Sequence, residues 1–390
     1  MQKRALTITF LCAALPVMMA VLLSPGLPAL QKEFMGEPEI QVLSKLVIMT
    51  PALAIASTAG LLGFLIDRWG RFPILLISLL LFGLFGVQGY WAEDIYALIV
   101  TRFFFGIGVA GIMTTTSTTL AEHYDGLPLR RMLGFQAGFM GLWGIVFQVI
   151  GGFLAETSWR SPFLLYAIAF PLVFVVILDR TMHQGKPLEP VQPSADRRTS
   201  RNILRIVLLV LLSTTIMTLF ALLPVQGPLF FHDLNFSPKR TAFLLSMLTA
   251  SSCIASLTLA LWRRRVSSIF ALMIGLSGLA FSFAWLGHAD RWRDLVLSMV
   301  GIGAGVGLCI PCVSALIGTL TPSGQKGKIL GVLLTANYVG QFFAPIWSQP
   351  VIQRAGNHEL FKLSAGLAAG LAVIILGITI FAVERRSGES

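Results

Sequence analysis

The chain has 390 residues, of which 55% are hydrophobic and only 12% are charged. Soluble domains carry about 25% charged residues, so this composition excludes an ordinary soluble protein and indicates that lipid is the main solvent. The net charge of +11 arises from lysines and arginines in alternate short polar segments. That distribution is typical of membrane topology and argues against a nucleic-acid partner.

Apolar segments long enough to cross a bilayer, about 20 residues each, recur along the whole chain. The first follows Met1-Gln-Lys-Arg, as in a signal peptide, but it is long and lacks a convincing cleavage site, so we expect an uncleaved helix. We predict an all-α polytopic membrane protein with twelve transmembrane helices. The predicted spans are 5–29, 41–66, 72–91, 95–121, 132–155, 161–179, 202–225, 239–261, 267–287, 293–320, 328–350 and 360–382.

One long polar stretch, 181–201, divides the chain and contains three prolines among mixed charges. It predicts a cytoplasmic linker between an N-terminal six-helix bundle, 1–180, and a C-terminal six-helix bundle, 202–390. The alternation of basic loops places both termini in the cytoplasm, and a bacterial inner-membrane location is expected.

The two halves share a glycine pattern. Arg102-x3-Gly106-x-Gly108 in the fourth span corresponds to Gly301-x-Gly303-x-Gly305-x-Gly307 in the tenth. Parallel six-helix repeats, related by a pseudo-two-fold axis with a binding site at their interface, are a transporter architecture.

The turn between spans 2 and 3 is the most informative polar segment. It reads Gly63-x3-Asp67-Arg68-x-Gly70-Arg71, in which the glycines permit close backbone approach or positive φ. Asp67 and Arg71 are four residues apart, so on a helical turn they share a face and can pair. The alternative is a short loop that only carries positive-inside charge.

This spacing resembles motif A of the major facilitator superfamily of secondary transporters. The resemblance implies alternating access, with Asp67 and Arg71 joining an acid at the inner end of the fourth helix in a conformational latch. Glu122 stands at that position. The predicted latch therefore comprises Gly63, Asp67, Arg68, Gly70, Arg71 and Glu122. Charge anchoring at the membrane interface is the competing interpretation.

Arg102 is the one base inside the fourth span, and its surroundings resemble motif B of the same family. An intramembrane arginine is costly, so an inward-facing functional role is expected, with snorkelling to the headgroups as the alternative. In the fifth span, Gly134, Gly138, Gly141 and Gly144 share one helical face. Gly151 and Gly152 resemble the end of the antiporters' glycine motif without its proline, and tight packing explains them equally well.

None of the eighteen acids lies near the centre of a span, which favours a neutral, zwitterionic or anionic substrate over a strongly cationic one. Polar and aromatic side chains deep in the spans are candidates for a substrate cavity, because amides in hydrocarbon need partners or water. Hydrogen bonding between helices is the alternative. The candidates are Gln136, Phe139, Gln148, Thr214, Thr218, Phe220, Asn337 and Gln341.

The resemblance is greatest to the twelve-helix, drug:proton antiporter-like exporters. It implies proton-coupled efflux of small amphipathic molecules or drugs, with the proton gradient as driving force. A dedicated exporter of a siderophore or sugar, and a non-transporting membrane sensor, are the alternatives. We expect no enzyme activity, cofactor or metal site, because Cys309 and Cys312 have no neighbouring histidine or acid. The expected partners are a small-molecule substrate and the bilayer, with the chain as a monomer.

Overall fold

The computed structural model describes residues 3–124, 126–179, 198–262, 266–321 and 325–387, and within these ranges all regular elements are helices. Eleven helical segments are long and apolar enough to cross a membrane. The last contains two predicted spans, because Gly356 (φ 83°, ψ 178°) breaks the helix between them. The prediction of an all-α fold with twelve spans is confirmed. The segments run Arg4–Glu33, Ile40–Trp69, Arg71–Trp91, Ile95–His123, Arg131–Thr157, Ser161–Leu178, Asn202–Asp233, Pro238–Trp262, Ser268–Leu286, Trp292–Leu320 and Gly327–Gly377.

Span 1 is not a continuous α-helix. Pro16 and Pro25 begin 3-10 turns that interrupt it, because proline has no N–H to donate to the preceding turn. Main-chain oxygens near the breaks therefore become accessible to side chains from other spans. The helical pieces of span 1 are Lys3–Ala14, Met18–Val21 and Leu27–Glu33.

The turn between spans 2 and 3 consists of one residue. The helix of span 2 ends at Trp69, Gly70 adopts φ 84°, and the next helix starts at Arg71. Positive φ is the conformation that glycine alone adopts without strain, which explains Gly70. The break also separates Asp67 from Arg71, so the expectation that they share one helical face is wrong. A Cβ on Gly63 would meet no atom within 4 Å, so packing does not explain that glycine.

Glycines in span 4 allow it to pack directly against spans 2 and 3. A Cβ on Gly106 would lie 2.7 Å from the main chain of Pro51. A Cβ on Gly108 would lie 2.7 Å from the carbonyl oxygen of Ser78 and the amide nitrogen of Phe82. Both distances are far below van der Waals contact with backbone atoms, so only glycine fits at these two positions.

Span 10 makes the same contacts in the second half of the chain. Gly303 packs on the carbonyl oxygen of Leu248 in span 8, and Gly305 packs on Gly275 and Leu279 in span 9. Each of these five residues lies 197 positions after its counterpart in the first half. For example, Gly303 corresponds to Gly106, and Gly305 corresponds to Gly108. The glycine pattern shared by the two halves therefore reflects equivalent packing of three helices in each.

Main-chain contacts divide the chain into two compact units. The first contains residues 1–192, 221–246 and 334–346, and the second contains 193–220, 247–333 and 347–390. The predicted bundles 1–180 and 202–390 remain a prediction. Most of the predicted linker, 181–197, lies outside the described residues, whereas 198–201 already belongs to the helix of span 7.

Candidate functional site

Arg71 and Glu122 form an ion pair between Nη2 and Oε2 at one end of spans 3 and 4. Arg71 is the first residue of its helix, and Glu122 lies in the last turn of the neighbouring helix. The side chains are only 10% and 11% exposed, respectively. Partly buried pairs gain attraction but also lose hydration, so such a contact can be made and broken during a conformational change.

The other members of the predicted latch lie around this pair. Asp67 is exposed, and its carboxylate is close enough to Glu122 to interact with it electrostatically. Among the described side chains Asp67 makes no ion pair. Arg68 and Gly70 are exposed as well. The structure thus joins Arg71 to Glu122 directly and sets a second acid beside them.

Arg102 is completely buried in the first compact unit, with 0% of its surface exposed. The snorkelling alternative is therefore wrong. Nε donates to the carbonyl oxygen of Val47 at 3.3 Å, and Nη2 donates to the carbonyl oxygen of Met19 at 3.2 Å and to the Tyr166 hydroxyl at 3.3 Å. The guanidinium also lies over the Phe105 ring, 3.9 Å from its centroid. One residue thus connects spans 1, 2, 4 and 6.

The breaks in two helices supply the acceptors for Arg102. Val47 precedes Pro51 by four residues, and the missing proline N–H leaves the Val47 oxygen without its helical donor. Met19 lies in the short middle piece of span 1. Arg102 makes no ion pair with a described carboxylate, and its Nη1 has no hydrogen-bond partner there.

Lys45 is a second buried cation, and the family motifs do not include it. It lies in the first part of span 2 and is 1% exposed. The sequence signal was a single lysine four residues inside the predicted span 41–66. Intramembrane cations of this kind are functional-site candidates by default.

Gln136 lies in the wall of a cavity of about 100 Å³ within the first compact unit. Its Nε2 donates to Thr116 Oγ1 at 3.2 Å, so the amide bridges spans 5 and 4. The Tyr338 hydroxyl of span 11 contacts Met113 Sδ at 3.4 Å, beside the same cavity. The lining is mixed, with thioethers and alkyl groups next to hydroxyls and an amide: Ala13, Met113, Thr116, Ser117, Leu133, Gln136, Ala137 and Met140.

Other candidates from spans 5 and 11 lie in the same compact unit. Phe139 is in ring contact with Phe10 at 5.8 Å. Gln148 and Asn337 are buried, at 2% and 9% exposure, and each has one amide atom without a hydrogen-bond partner among the described residues. Gln341 is half-buried and engaged in an interaction. Buried, partly unsatisfied amides of this kind are a feature that a polar ligand or water would complete.

The candidates from span 7 differ from these amides, because its threonine hydroxyls are bonded within their own helix. The hydroxyls of Thr214 and Thr218 donate to main-chain oxygens one turn earlier, at 2.9 and 2.8 Å. Such bonds satisfy a threonine inside its own helix and need no ligand. Phe220, also on span 7, is half-buried.

The glycines of span 5 fall into two groups. A Cβ on Gly134 or Gly138 would meet no atom within 4 Å, so close packing does not explain those two. Gly151 instead packs on the carbonyl oxygen of Leu22, and Gly152 packs on Ala242 of span 8. One turn further, Glu156 forms an ion pair of 2.5 Å with Lys239, also of span 8.

Known proteins resemble this chain over nearly all its length. A family model described as Major Facilitator Superfamily matches residues 9–345. The tetracycline resistance protein, class B, of Escherichia coli is 24% identical over 406 aligned residues, covering 99% of this chain and 97% of that protein. The 3-(3-hydroxy-phenyl)propionate transporter of Escherichia coli (strain K12) is also 24% identical, covering 80% of this chain and 79% of that protein.

Solved structures show the same fold. A D-xylose-proton symporter superposes with a TM-score of 0.79 at 17% identity, covering 95% of this chain and 96% of the symporter. The matched range, the apolar helices and the motif residues agree with one another. The chain belongs to the Major Facilitator Superfamily and is a membrane transporter, not an enzyme.

Proposed function

We propose that this transporter exports a small amphipathic organic molecule from the bacterial cytoplasm in exchange for protons. The residues around Gln136 carry the proposal, because they combine thioether and alkyl surface with a few hydroxyls and one amide. The cavity there, about 100 Å³, is smaller than the roughly 300–1,000 Å³ of a drug-sized site, so the proposal requires the helices to move apart when substrate binds. Ligand sites for organic molecules have this composition, largely apolar with a small number of fixed polar groups. The similarity to a tetracycline resistance protein supports a drug-like substrate.

The proposed substrate contacts lie on spans 5 and 11. Gln136 and Phe139 supply an amide and a ring, and Asn337 and Gln148 supply the partly unsatisfied amides. Thr214 and Thr218 are weaker candidates for contact with substrate, because their hydroxyls already donate to main-chain oxygens of their own helix.

Alternating access needs a contact that stabilises one state and can be broken in the other. We propose that the Arg71–Glu122 pair is this contact, with Asp67 tuning it through its negative charge. The pair joins the ends of adjacent helices beside a one-residue turn, so a small rotation of either helix separates the charges.

Everted membrane vesicles test the proposal. Tetracycline accumulation should follow an imposed proton gradient, stop when the gradient is collapsed, and fall when Gln136 is replaced by Leu. Accumulation that persists without a proton gradient would reject proton coupling. Vesicles whose uptake never exceeds that of vesicles lacking the protein would reject drug export.

A second candidate function is transport of an organic anion. It is favoured by the two buried cations of the first compact unit, Lys45 and Arg102, because a buried cation attracts an anionic group. The similarity to a transporter named for 3-(3-hydroxy-phenyl)propionate points the same way. Uptake of that carboxylate, with loss of uptake in Lys45→Met, would favour this candidate over drug export.

A further inference from the structure

Tyr338 of span 11 contacts the wall of the candidate substrate cavity from outside the spans that line it. Its hydroxyl donates to Met113 Sδ at 3.4 Å, and Met113 is part of the cavity wall. Both residues belong to the first compact unit. We propose that Tyr338 selects substrates that carry an acceptor oxygen, such as a carbonyl on an apolar frame, and that Met113 holds the hydroxyl until such a substrate binds. This inference rests on the proposed function and names the polar group that the substrate presents.

The Tyr338 hydroxyl is a good donor that is bonded to a poor acceptor. Within the described residues its hydrogen-bond partner is the thioether of Met113, and thioether sulfur accepts only weakly. A substrate oxygen that replaces the sulfur therefore exchanges a weak hydrogen bond for a normal one. A substrate that separates the two side chains without offering an acceptor leaves the hydroxyl unpaired away from water, which costs free energy. The contact thus discriminates between substrates with and without an acceptor oxygen.

Met113 lies on the face of span 4 that borders the cavity. Thr116 is three residues further along, so the two side chains are neighbours on that face, and both line the cavity. Gln136 of span 5 donates to the Thr116 hydroxyl at 3.2 Å. Tyr338 and Gln136 therefore reach neighbouring positions of span 4 from two different helices. These positions are about 4.5 Å apart along the helix axis, so one small ligand can meet both side chains.

The two donors on this face of span 4 are held with different strength. Gln136 donates to a hydroxyl oxygen, which is an ordinary acceptor, whereas Tyr338 donates to sulfur. Exchange of partners therefore costs less at Tyr338. The cavity must enlarge to hold a drug-sized molecule, and a contact between spans 4 and 11 that breaks at little cost permits this enlargement. For these reasons the selection for an acceptor oxygen is assigned to Tyr338 and not to Gln136.

Binding of fluorenone and of fluorene to the purified full-length protein tests the proposal. The two probes are flat ring systems that differ in one position, where fluorenone has a carbonyl and fluorene a methylene. The unmodified protein should bind fluorenone roughly fivefold more tightly, as expected for one additional hydrogen bond. Tyr338→Phe keeps the ring and should remove most of this preference. Tyr96→Phe, at a tyrosine that is 50% exposed in the first turn of span 4, is the matched control and should keep it.

Two variants of Met113 test its role without removing the hydroxyl. Met113→Leu conserves the volume but removes the sulfur, so the preference for fluorenone should be retained or increased. Met113→Gln offers Tyr338 a strong acceptor, so the preference should fall. No binding of fluorenone, equal affinity of the unmodified protein for both probes, an unchanged preference in Tyr338→Phe or Met113→Gln, or a preference lost in Met113→Leu would each overturn the proposal. The predicted preferences in vesicle-incompetent protein, with no accumulation of tetracycline, would support this site and reject drug export.

Discussion

Arg102 donates from Nε to the carbonyl oxygen of Val47 at 3.3 Å, one turn before the proline that frees this oxygen. A helix defect and a buried charge therefore stabilise each other. Without the arginine, the Val47 oxygen would lack a partner in a region that excludes water. Without the defect, the guanidinium would have to share an oxygen already bonded within the helix.

Arg102→Ala is expected to lower the free energy of unfolding by roughly 3–5 kcal/mol, because it creates a cavity and leaves acceptors without donors. Arg102→Met should cost less, since its side chain fills most of the volume. Met299, 197 residues later and 0% exposed, occupies the corresponding position in the second half. Thermal unfolding of the purified variants measures the difference. Equal losses for Ala and Met would show that volume is not the main contribution.

Gly106→Ala should destabilise the protein by about 1–3 kcal/mol, because the new Cβ would overlap the main chain of Pro51. Gly138→Ala is the matched control, since its Cβ meets no atom within 4 Å. Chemical or thermal unfolding compares the two variants. A Gly106→Ala protein as stable as Gly138→Ala would mean that spans 2 and 4 are less tightly packed than described.

The effects of changing Arg71 and of changing Glu122 on the transport rate should depend strongly on each other. Arg71→Gln or Glu122→Gln alone should slow transport about tenfold, which corresponds to about 1.4 kcal/mol lost from one conformational state. The double variant should recover part of the rate, because neither charge is left buried without its partner. The coupling is measured from substrate uptake by vesicles reconstituted with the unmodified protein, each single variant and the double variant. Additive effects of the two single changes would contradict a direct pair.

Asp67→Asn is expected to slow turnover while leaving folding largely intact. Asp67 is exposed, so its loss removes little packing, but its charge acts on Glu122. Vesicle uptake and thermal unfolding should be measured on the same preparation. Normal export by Asp67→Asn would exclude this residue from the proposed latch.

Gln136→Leu should alter substrate preference more than expression, because it removes the amide that bridges Thr116 at the cavity wall. Asn337→Leu and Gln341→Leu are expected to act similarly. Thr218→Val is the control, since within the described residues its hydroxyl bonds to its own helix. Uptake of several drug-like compounds gives the selectivity profile. Lowered expression with unchanged selectivity would assign these amides to packing.

Features set by local chemistry were predictable from the sequence. Long apolar segments identified the spans, and the conformational freedom of glycine explains the positive φ at Gly70. The placement of Arg71 near Glu122 followed from the family motif. The helix end at Trp69 was not predictable in this way, so the expected alignment of Asp67 with Arg71 was wrong.

Features set by contacts between distant segments were not predictable. The acceptors of Arg102 come from spans 1 and 2, and nothing in the sequence shows that the Val47 oxygen freed by Pro51 and the Met19 oxygen lie within reach of span 4. Lys45 carries no motif, and its burial depends on how span 2 is covered by its neighbours. For the same reason the spacing of Gly134 and Gly138 did not show that a Cβ at either position would meet no atom within 4 Å.

The constant offset of 197 residues between the two sets of glycine contacts has an evolutionary consequence. Equal spacing across three helices and their loops is the expected trace of a duplicated ancestral gene segment, with no net insertion or deletion there since. Substitutions have nevertheless made the copies chemically unequal, because Pro51 and Arg102 correspond to Leu248 and Met299. The two copies thus differ in the buried cation: the first has the guanidinium of Arg102, and the second has the uncharged thioether of Met299 at the same position.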